Sequence, residues 1–218
     1  MNLKSPEGSP ISRQEDSPAF TEKCEDARET LLHYAGSCVA GDFFDLVSNS
    51  PQETFNIGER IAAFLSSGSV VALMGELGSG KTYLAKGIAR GLGITENITS
   101  PTYTIISEYQ TDDDSTARET SLQNARETSS YNTLFHIDAY RLNNDKDFED
   151  LGGLEIINSD GICIIEWSER IPKSLPESKI TISLEITGSC SRLIRIKGLV
   201  DLQQSFQHNK KKAHSENP

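Results

Sequence analysis

The chain has little that would tie it to a membrane, a disulfide scaffold or bare nucleic acid. Its 218 residues include four cysteines, Cys24, Cys38, Cys163 and Cys190. They form no C-x-x-C pair and no metal-ligand spacing, which argues against a zinc module. Such sparse cysteine use fits a reducing cytosol best, and the expected localisation is cytoplasmic. Cys163 lies inside an apolar run and is expected as a buried thiol. No apolar run approaches the roughly 20 residues that a membrane helix requires. The segment that opens the sequence has no apolar stretch and does not read as a signal peptide. Basic residues are also scarce, 21 against 32 acids, for a formal charge of -11. Phosphate backbones want a basic surface, so free nucleic acid is a poor fit as the main direct ligand.

The negative charge is unevenly placed. Residues 1–45 set four basic residues against nine acids, and residues 110–130 set two against five. The first 25 residues are rich in Ser, Pro, Glu and Asp, which predicts disorder. A helix around Ala27 to Tyr34 is a weaker expectation. Residues 1–42 are thus read as an extension and 43–200 as the folded domain. The remainder, 201–218, is a polar tail in which Lys210 to Lys212 read as a solvated end. Within the domain, 111–130 is read as a flexible insertion. It repeats Ala117-Arg-Glu-Thr-Ser121 as Ala125-Arg-Glu-Thr-Ser129, and a polar self-similar stretch between strands suits a solvated hairpin tip.

What the chain does have is a phosphate-binding loop. Gly75-Glu76-Leu77-Gly78-Ser79-Gly80-Lys81-Thr82 fits G-x-x-x-x-G-K-[ST] at every fixed position. The β-branched run Ser69–Met74 before it predicts a buried strand. Apolar residues at 84, 85, 88, 89 and 92 after it have helical spacing. The glycines let the backbone turn tightly and aim N–H groups at an anion. The positive end of the following helix points to the same place. In this pattern Lys81 reaches the β- and γ-phosphates, and the Thr82 hydroxyl ligates magnesium.

The other elements follow from the same reading. Phe43–Ser48 is expected as a strand. Ser50, Pro51 and Glu53 form a helix start, with the helix running to about Ser66 and burying Phe55, Ile57 or Ile61, Ala62 and Leu65. Strands are expected at Tyr103–Tyr109, Tyr131–Asp138 and Gly161–Glu166. A closing antiparallel pair follows at Lys179–Thr187 and Arg192–Lys197, turning at Gly188-Ser189.

A phosphate loop needs acids that hold the metal and organise water, usually at the end of a neighbouring apolar strand. Leu134-Phe-His-Ile-Asp138 ends in one candidate and Ile162-Cys-Ile-Ile-Glu166 in another, so Asp138 and Glu166 are the expected catalytic acids. His136 is read as a packed side chain rather than a base. Trp167 has two open readings, a shield or partner contact at the site and a core aromatic. Asn144-Asp-Lys-Asp147 has the wrong order for a guanine signature, which leaves adenine as the better base.

Several motifs occur together in order: the glycine loop at 75–82, Ser100-Pro-Thr-Tyr-Thr104, His136-Ile-Asp-Ala-Tyr-Arg-Leu142 and Ile164-Ile-Glu-Trp-Ser-Glu169. With Ser50-Pro-Gln-Glu-Thr54, this set resembles the TsaE (also called YjeE) family, the bacterial ATPases of tRNA threonylcarbamoyladenosine synthesis. The resemblance covers about residues 43–200. It implies an α/β fold, a P-loop NTPase-like three-layer sandwich with a central mixed β-sheet and a C-terminal antiparallel hairpin. It implies ATP and Mg2+ as cofactors. Gly75, Glu76, Leu77, Gly78, Ser79, Gly80, Lys81, Thr82 and Arg192 are the implied nucleotide-binding residues. Thr82 and Glu166 are the implied metal ligands, and Asp138 matches the family's Walker-B-like aspartate. Ser100, Thr102, Tyr103 and Trp167 are implied as switch or partner residues, with Thr102 sensing the γ-phosphate. The adenine would lie near Pro51 to Thr54.

The family is understood to serve formation of the threonylcarbamoyl group on the adenosine beside the anticodon, in tRNAs reading codons that start with adenine. TsaC supplies threonylcarbamoyl adenylate, and the ATPase binds and resets the TsaB–TsaD complex. tRNA is then an indirect partner, and no membrane is involved. A small-molecule kinase and a non-enzymatic module gated by nucleotide stay open as alternatives, although no arginine-rich lid or acceptor-pocket motif is evident. The extension before Phe43, the insertion at 111–130 and the basic tail depart from the family pattern.

Overall fold

The computed structural model describes residues 43–111 and 133–199. The expectations for the extension, for the tail and for the insertion beyond Thr111 lie outside these residues, as does the helix at 27–34.

Among the described residues, seven strands form one mixed sheet: β1 (Phe43–Ser48), β2 (Val70–Met74), β3 (Ile106–Gln110), β4 (Thr133–Asp138), β5 (Ile162–Glu166), β6 (Ile180–Ile186) and β7 (Arg192–Lys197). Their order is β1-β7-β6-β2-β5-β4-β3. The central strands β6, β2, β5 and β4 run parallel. The outer pairings β1/β7, β6/β7 and β3/β4 are antiparallel. The expected closing hairpin is therefore β6–β7. Its connection is closed by the Thr187 N–H on the Ser191 carbonyl at 3.1 Å.

Helices cover both faces, which gives the expected three layers. On one face lie α1 (Pro51–Ile61) and α2 (Lys81–Gly91). Their apolar stripes, with Ile57, Ile61, Leu84 and Ile88, pack on Leu46, Val71, Leu73, Ile164, Ile182 and Ile194 of the sheet. On the other face lie two short helices, α3 (Asp145–Asp150) and α4 (Gly153–Ile157). There Phe148 and Ile157 cover Val70, Ile137, Cys163 and Ile165. Odd and even residues of β5 thus enter different cores, as a strand buried on both faces requires. Burial pushes the Cys163 thiol up to about 12, so it is an inert packed group.

The start of α1 follows its sequence signals. Ser50 Oγ accepts from the Glu53 N–H at 3.1 Å, and Pro51 opens the helix. Glu53 reaches back one residue further than a usual capping box, accepting from the Asn49 N–H at 2.7 Å. The helix ends at Ile61 rather than near Ser66, and a 3-10 turn, Ala62–Phe64, follows. Phe55 is only partly buried, whereas Ile57, Ile61, Ala62 and Leu65 are core residues. A side chain at Gly87 would run into the Phe55 carbonyl. This close approach locks α1 against the helix that carries the phosphate loop.

One strand boundary needs correction, and one sequence run gains a structural role. The strand placed at Tyr103–Tyr109 begins only at Ile106. Residues 102–104 are a turn, because Ile105 takes a left-handed φ of 67° and its N–H bonds the Pro101 carbonyl at 2.6 Å. A β-branched residue adopts that conformation only when its surroundings impose it. The run Asn144-Asp-Lys-Asp147, weighed only against a guanine signature, is the capped start of α3. Asn144 Oδ1 accepts from the Asp147 N–H at 3.1 Å.

Candidate functional site

The site forms where β2, β4 and β5 end against α2. β2 feeds the loop 75–80, and the loop feeds α2 directly at Lys81. Gly75, Gly78 and Gly80 have φ values of 136°, 78° and 104°. Ordinary side chains would be strained at all three, which is why glycine recurs there. Lys81 is buried at 5% exposure. Its Nζ donates to the carbonyls of Gly75 at 2.6 Å and Glu76 at 2.9 Å. It also lies 3.8 Å from the centroid of the Trp167 ring, a cation–π contact. Burial holds the Lys81 pKa below its usual 10.5, while Glu166, Glu169, Asp138 and Glu76 pull it back up.

The two strand-ending acids are register partners on adjacent parallel strands, Asp138 opposite Glu166. Both side chains lie on the α1/α2 face. Glu166 Oε2 accepts from the Thr82 hydroxyl at 2.9 Å. Its Oε1 lies 2.9 Å from His136 Nε2. Asp138 Oδ2 accepts from Thr102 Oγ1 at 2.7 Å and from Ser100 Oγ at 3.0 Å. Asp138 Oδ1 accepts from the Tyr140 N–H at 3.0 Å and so caps a 3-10 turn, Ala139–Arg141.

All the sequence-selected positions lie in or beside this one site, with distinct surroundings. Leu77 is 80% exposed at the loop tip, and Tyr103 is 85% exposed. The Arg141 guanidinium stands 4.5 Å from the Tyr103 ring centroid. Trp167 is partly buried between Lys81 and Tyr140, its ring centroid 4.9 Å from that of Tyr140. It takes a left-handed φ of 58°, the second non-glycine residue among those described to do so, and both flank the acids. Arg192 braces the loop. It donates through Nε to the Ser79 carbonyl at 2.9 Å and through Nη2 to the Gly78 carbonyl at 3.1 Å.

Three residues contribute to the site beyond the roles the sequence assigns them. His136 is packed as expected, but against the Glu166 carboxylate rather than among apolar groups alone. Ser168 Oγ donates to the Leu73 carbonyl at 3.2 Å and ties the turn after Glu166 to β2. Tyr140, with Arg170 5.2 Å from its ring centroid, extends the aromatic group around Trp167. The His136 contact had a readable signal. His136, Ile164 and Glu166 alternate on one face of two strands whose parallel pairing follows from the α/β pattern.

The donor set suits a hard cation held together with phosphate. A hydroxyl and a carboxylate converge within 2.9 Å at the start of α2. Magnesium is bound in this way, through one or two carboxylates plus phosphate oxygens and water rather than by an all-protein cage. The Ser79 hydroxyl, buried in the loop with no hydrogen-bond partner among the described residues, fits a site that receives an anion. Among the described residues no helix is long and apolar enough to cross a membrane.

Comparisons with known proteins agree with this geometry. The family model for threonylcarbamoyl adenosine biosynthesis protein TsaE matches residues 48–194. The tRNA threonylcarbamoyladenosine biosynthesis protein TsaE of Treponema pallidum is 40% identical over 150 residues, 69% of this chain and 97% of that protein. The protein of the same name from Bacillus subtilis is 37% identical over 145 residues, 66% of this chain and 79% of its own length. The crystal structure of Bacillus subtilis YdiB superposes with a TM-score of 0.56 at 27% identity, covering 81% of this chain and 99% of that one. The match spans the glycine loop, residues 100–104, both acids and Arg192, and the chain belongs to the TsaE family of tRNA threonylcarbamoyladenosine biosynthesis proteins.

Proposed function

We propose that this protein is a magnesium-dependent ATPase that binds a TsaB–TsaD complex and resets it through ATP hydrolysis. The observation that carries the reading is the Thr82 hydroxyl on the Glu166 carboxylate at 2.9 Å, beside a glycine loop that contains Lys81. The residues of the loop, Gly75 to Thr82, hold the phosphates through backbone N–H groups and the Lys81 ammonium. Thr82 and Glu166 hold the cation, which when bound neutralises charge on the phosphate oxygens. Arg192 keeps the loop carbonyls turned away from the phosphates by bonding to them. Thr54 of α1 packs against Gly80, at 3.7 Å from where a side chain there would begin, so the start of α1 adjoins the nucleotide and can receive the adenine.

Hydrolysis adds water across the bond between the bridging oxygen and the γ-phosphorus, giving ADP and inorganic phosphate. Asp138 ties that event to the Ser100–Thr104 segment through the two hydroxyls on its Oδ2. A γ-phosphate or attacking water near Thr102 competes for the same hydroxyl, and the segment changes its contacts as the phosphate leaves. The exposed Leu77 and Tyr103 place apolar surface at the mouth of the site, which suits a protein partner. The acidic charge of the chain favours the same reading over a direct grip on tRNA.

Single-turnover hydrolysis with purified TsaB–TsaD tests the proposal. Faster hydrolysis when the complex is added is the expected result. ATP-dependent binding without turnover would make the chain a nucleotide-gated module. Stimulation by a small metabolite instead would make it a kinase.

A further inference from the structure

Behind the Glu166 carboxylate lies a buried imidazole that touches neither Thr82 nor the glycine loop through any hydrogen bond among the described residues. His136 is 0% exposed, and its neighbour Glu166 is 2% exposed. The imidazole Nε2 lies 2.9 Å from Glu166 Oε1. Its other nitrogen, Nδ1, is buried with no hydrogen-bond partner among the described residues. A proton on Nδ1 would be an N–H without an acceptor in a dry interior, which is costly. The proton therefore sits on Nε2, and the ring donates to the carboxylate. Glu166 then has one donor on each oxygen, His136 on Oε1 and Thr82 on Oε2. A glutamate side chain rotates about three bonds, and a carboxylate with two fixed donors cannot. His136 itself is held by the sheet, paired with Ser107 of β3 on one side and with Ile164 of β5 on the other.

We infer that His136 is a positioning residue for the cation site: its Nε2–H fixes Glu166 so that Oε2 faces Thr82. The inference rests on the proposal that Thr82 and Glu166 hold magnesium. It assigns the histidine neither a proton to move nor a contact with nucleotide. Hydrogen-bond partners behind a metal ligand are worth about 10- to 100-fold in metal affinity.

The test uses the full chain, whose one tryptophan, Trp167, adjoins Lys81 and reports on the site by fluorescence. ATP is titrated in EDTA, and magnesium is then titrated at saturating ATP. His136→Ala should bind ATP in EDTA within about twofold of the parent and need about tenfold more magnesium for half-saturation. Two further variants separate a working N–H from mere filling of space. The amide nitrogen of His136→Gln occupies the place of Nε2, whereas that of His136→Asn occupies the place of Nδ1. Gln should restore magnesium affinity to within about threefold, and Asn should not. If His136→Ala does not fold, the Gln and Asn pair decides alone. A parent-like magnesium requirement in His136→Ala, or rescue by Asn equal to that by Gln, would overturn the inference while leaving the metal site in place. If the parent protein shows no magnesium response, or Glu166→Gln keeps it unchanged, the metal reading itself is wrong and the role of His136 falls with it.

Discussion

The ends of β4 and β5 present the same kind of residue at paired positions and connect it to different parts of the molecule. Asp138 and Glu166 face each other in register, and both are nearly fully buried. Glu166 accepts from Thr82 at the start of α2 and pairs with His136 inside the sheet, so regular elements hold it on both sides. Asp138 accepts from Thr102, in a turn that leads into the left-handed Ile105, and from Ser100 just before that turn. Position on the sheet therefore does not decide what a strand-ending acid does. The donors that reach it decide. One carboxylate is part of the frame that holds the phosphate loop, and the other is the anchor of a loop segment.

Lys81 serves both regions, and its loss should have the largest effect. Hydrogen bonds from a charged group are worth about 1.5–3 kcal/mol each, so Lys81→Ala should weaken ATP binding by at least about a hundredfold in calorimetry. Normal binding by that variant would remove the loop from the mechanism. Glu166→Gln comes next. It should slow single-turnover hydrolysis by about a hundredfold, because a metal ligand supplies several kcal/mol of charge stabilisation. ATP binding in EDTA should change little. Thr102→Val belongs to the other acid and should act more weakly. It removes one hydroxyl from Asp138 and should slow hydrolysis about tenfold, with nucleotide affinity unchanged. If Thr102→Val and Glu166→Gln cost the same, the two acids form one unit and the division between frame and anchor fails.

The frame and both acids were legible in the sequence, but the turn that Asp138 anchors was not. Gly75 to Thr82, the apolar β2 and the amphipathic α2 are local signals, each readable within a dozen residues. The acids were legible as strand ends. The segment from Tyr103 reads as strand in the sequence, because Tyr, Thr and Ile at 103–106 have high β-propensity. What overrides that preference is tertiary: the Asp138 carboxylate draws the hydroxyls of Ser100 and Thr102 from 38 and 36 residues away. α3 and α4 were missed for a different reason. They are 6 and 5 residues long, too short to show a periodicity, and are held by burial of Phe148 and Ile157 rather than by propensity.

The smallest effect offers the finest test of the difference between the two acids. Burial depresses the Lys81 pKa, and the largest opposing contribution comes from Glu166, followed by Glu169 and then Asp138. Only the ammonium form holds phosphate, and a bound phosphate raises the lysine pKa, so binding takes up protons. The sign follows. ATP affinity is full below the depressed pKa and falls as pH rises toward 10.5, earlier than an ordinary lysine would allow. The terminal phosphate, with a second pKa of about 6, stays ionised throughout and adds no slope above pH ~8. In EDTA, the dissociation constant should rise as pH climbs toward 10.5, by no more than tenfold per pH unit. Lys81→Arg should flatten the profile, since a guanidinium stays charged. Neutralising either acid should move the fall in affinity to lower pH. Glu166→Gln should move it further than Asp138→Asn, because the larger opposing charge is lost. Equal shifts would mean that Lys81 feels the two carboxylates alike. The separation between the strand ends would then lie in their hydrogen bonds alone and not in the field at the phosphate.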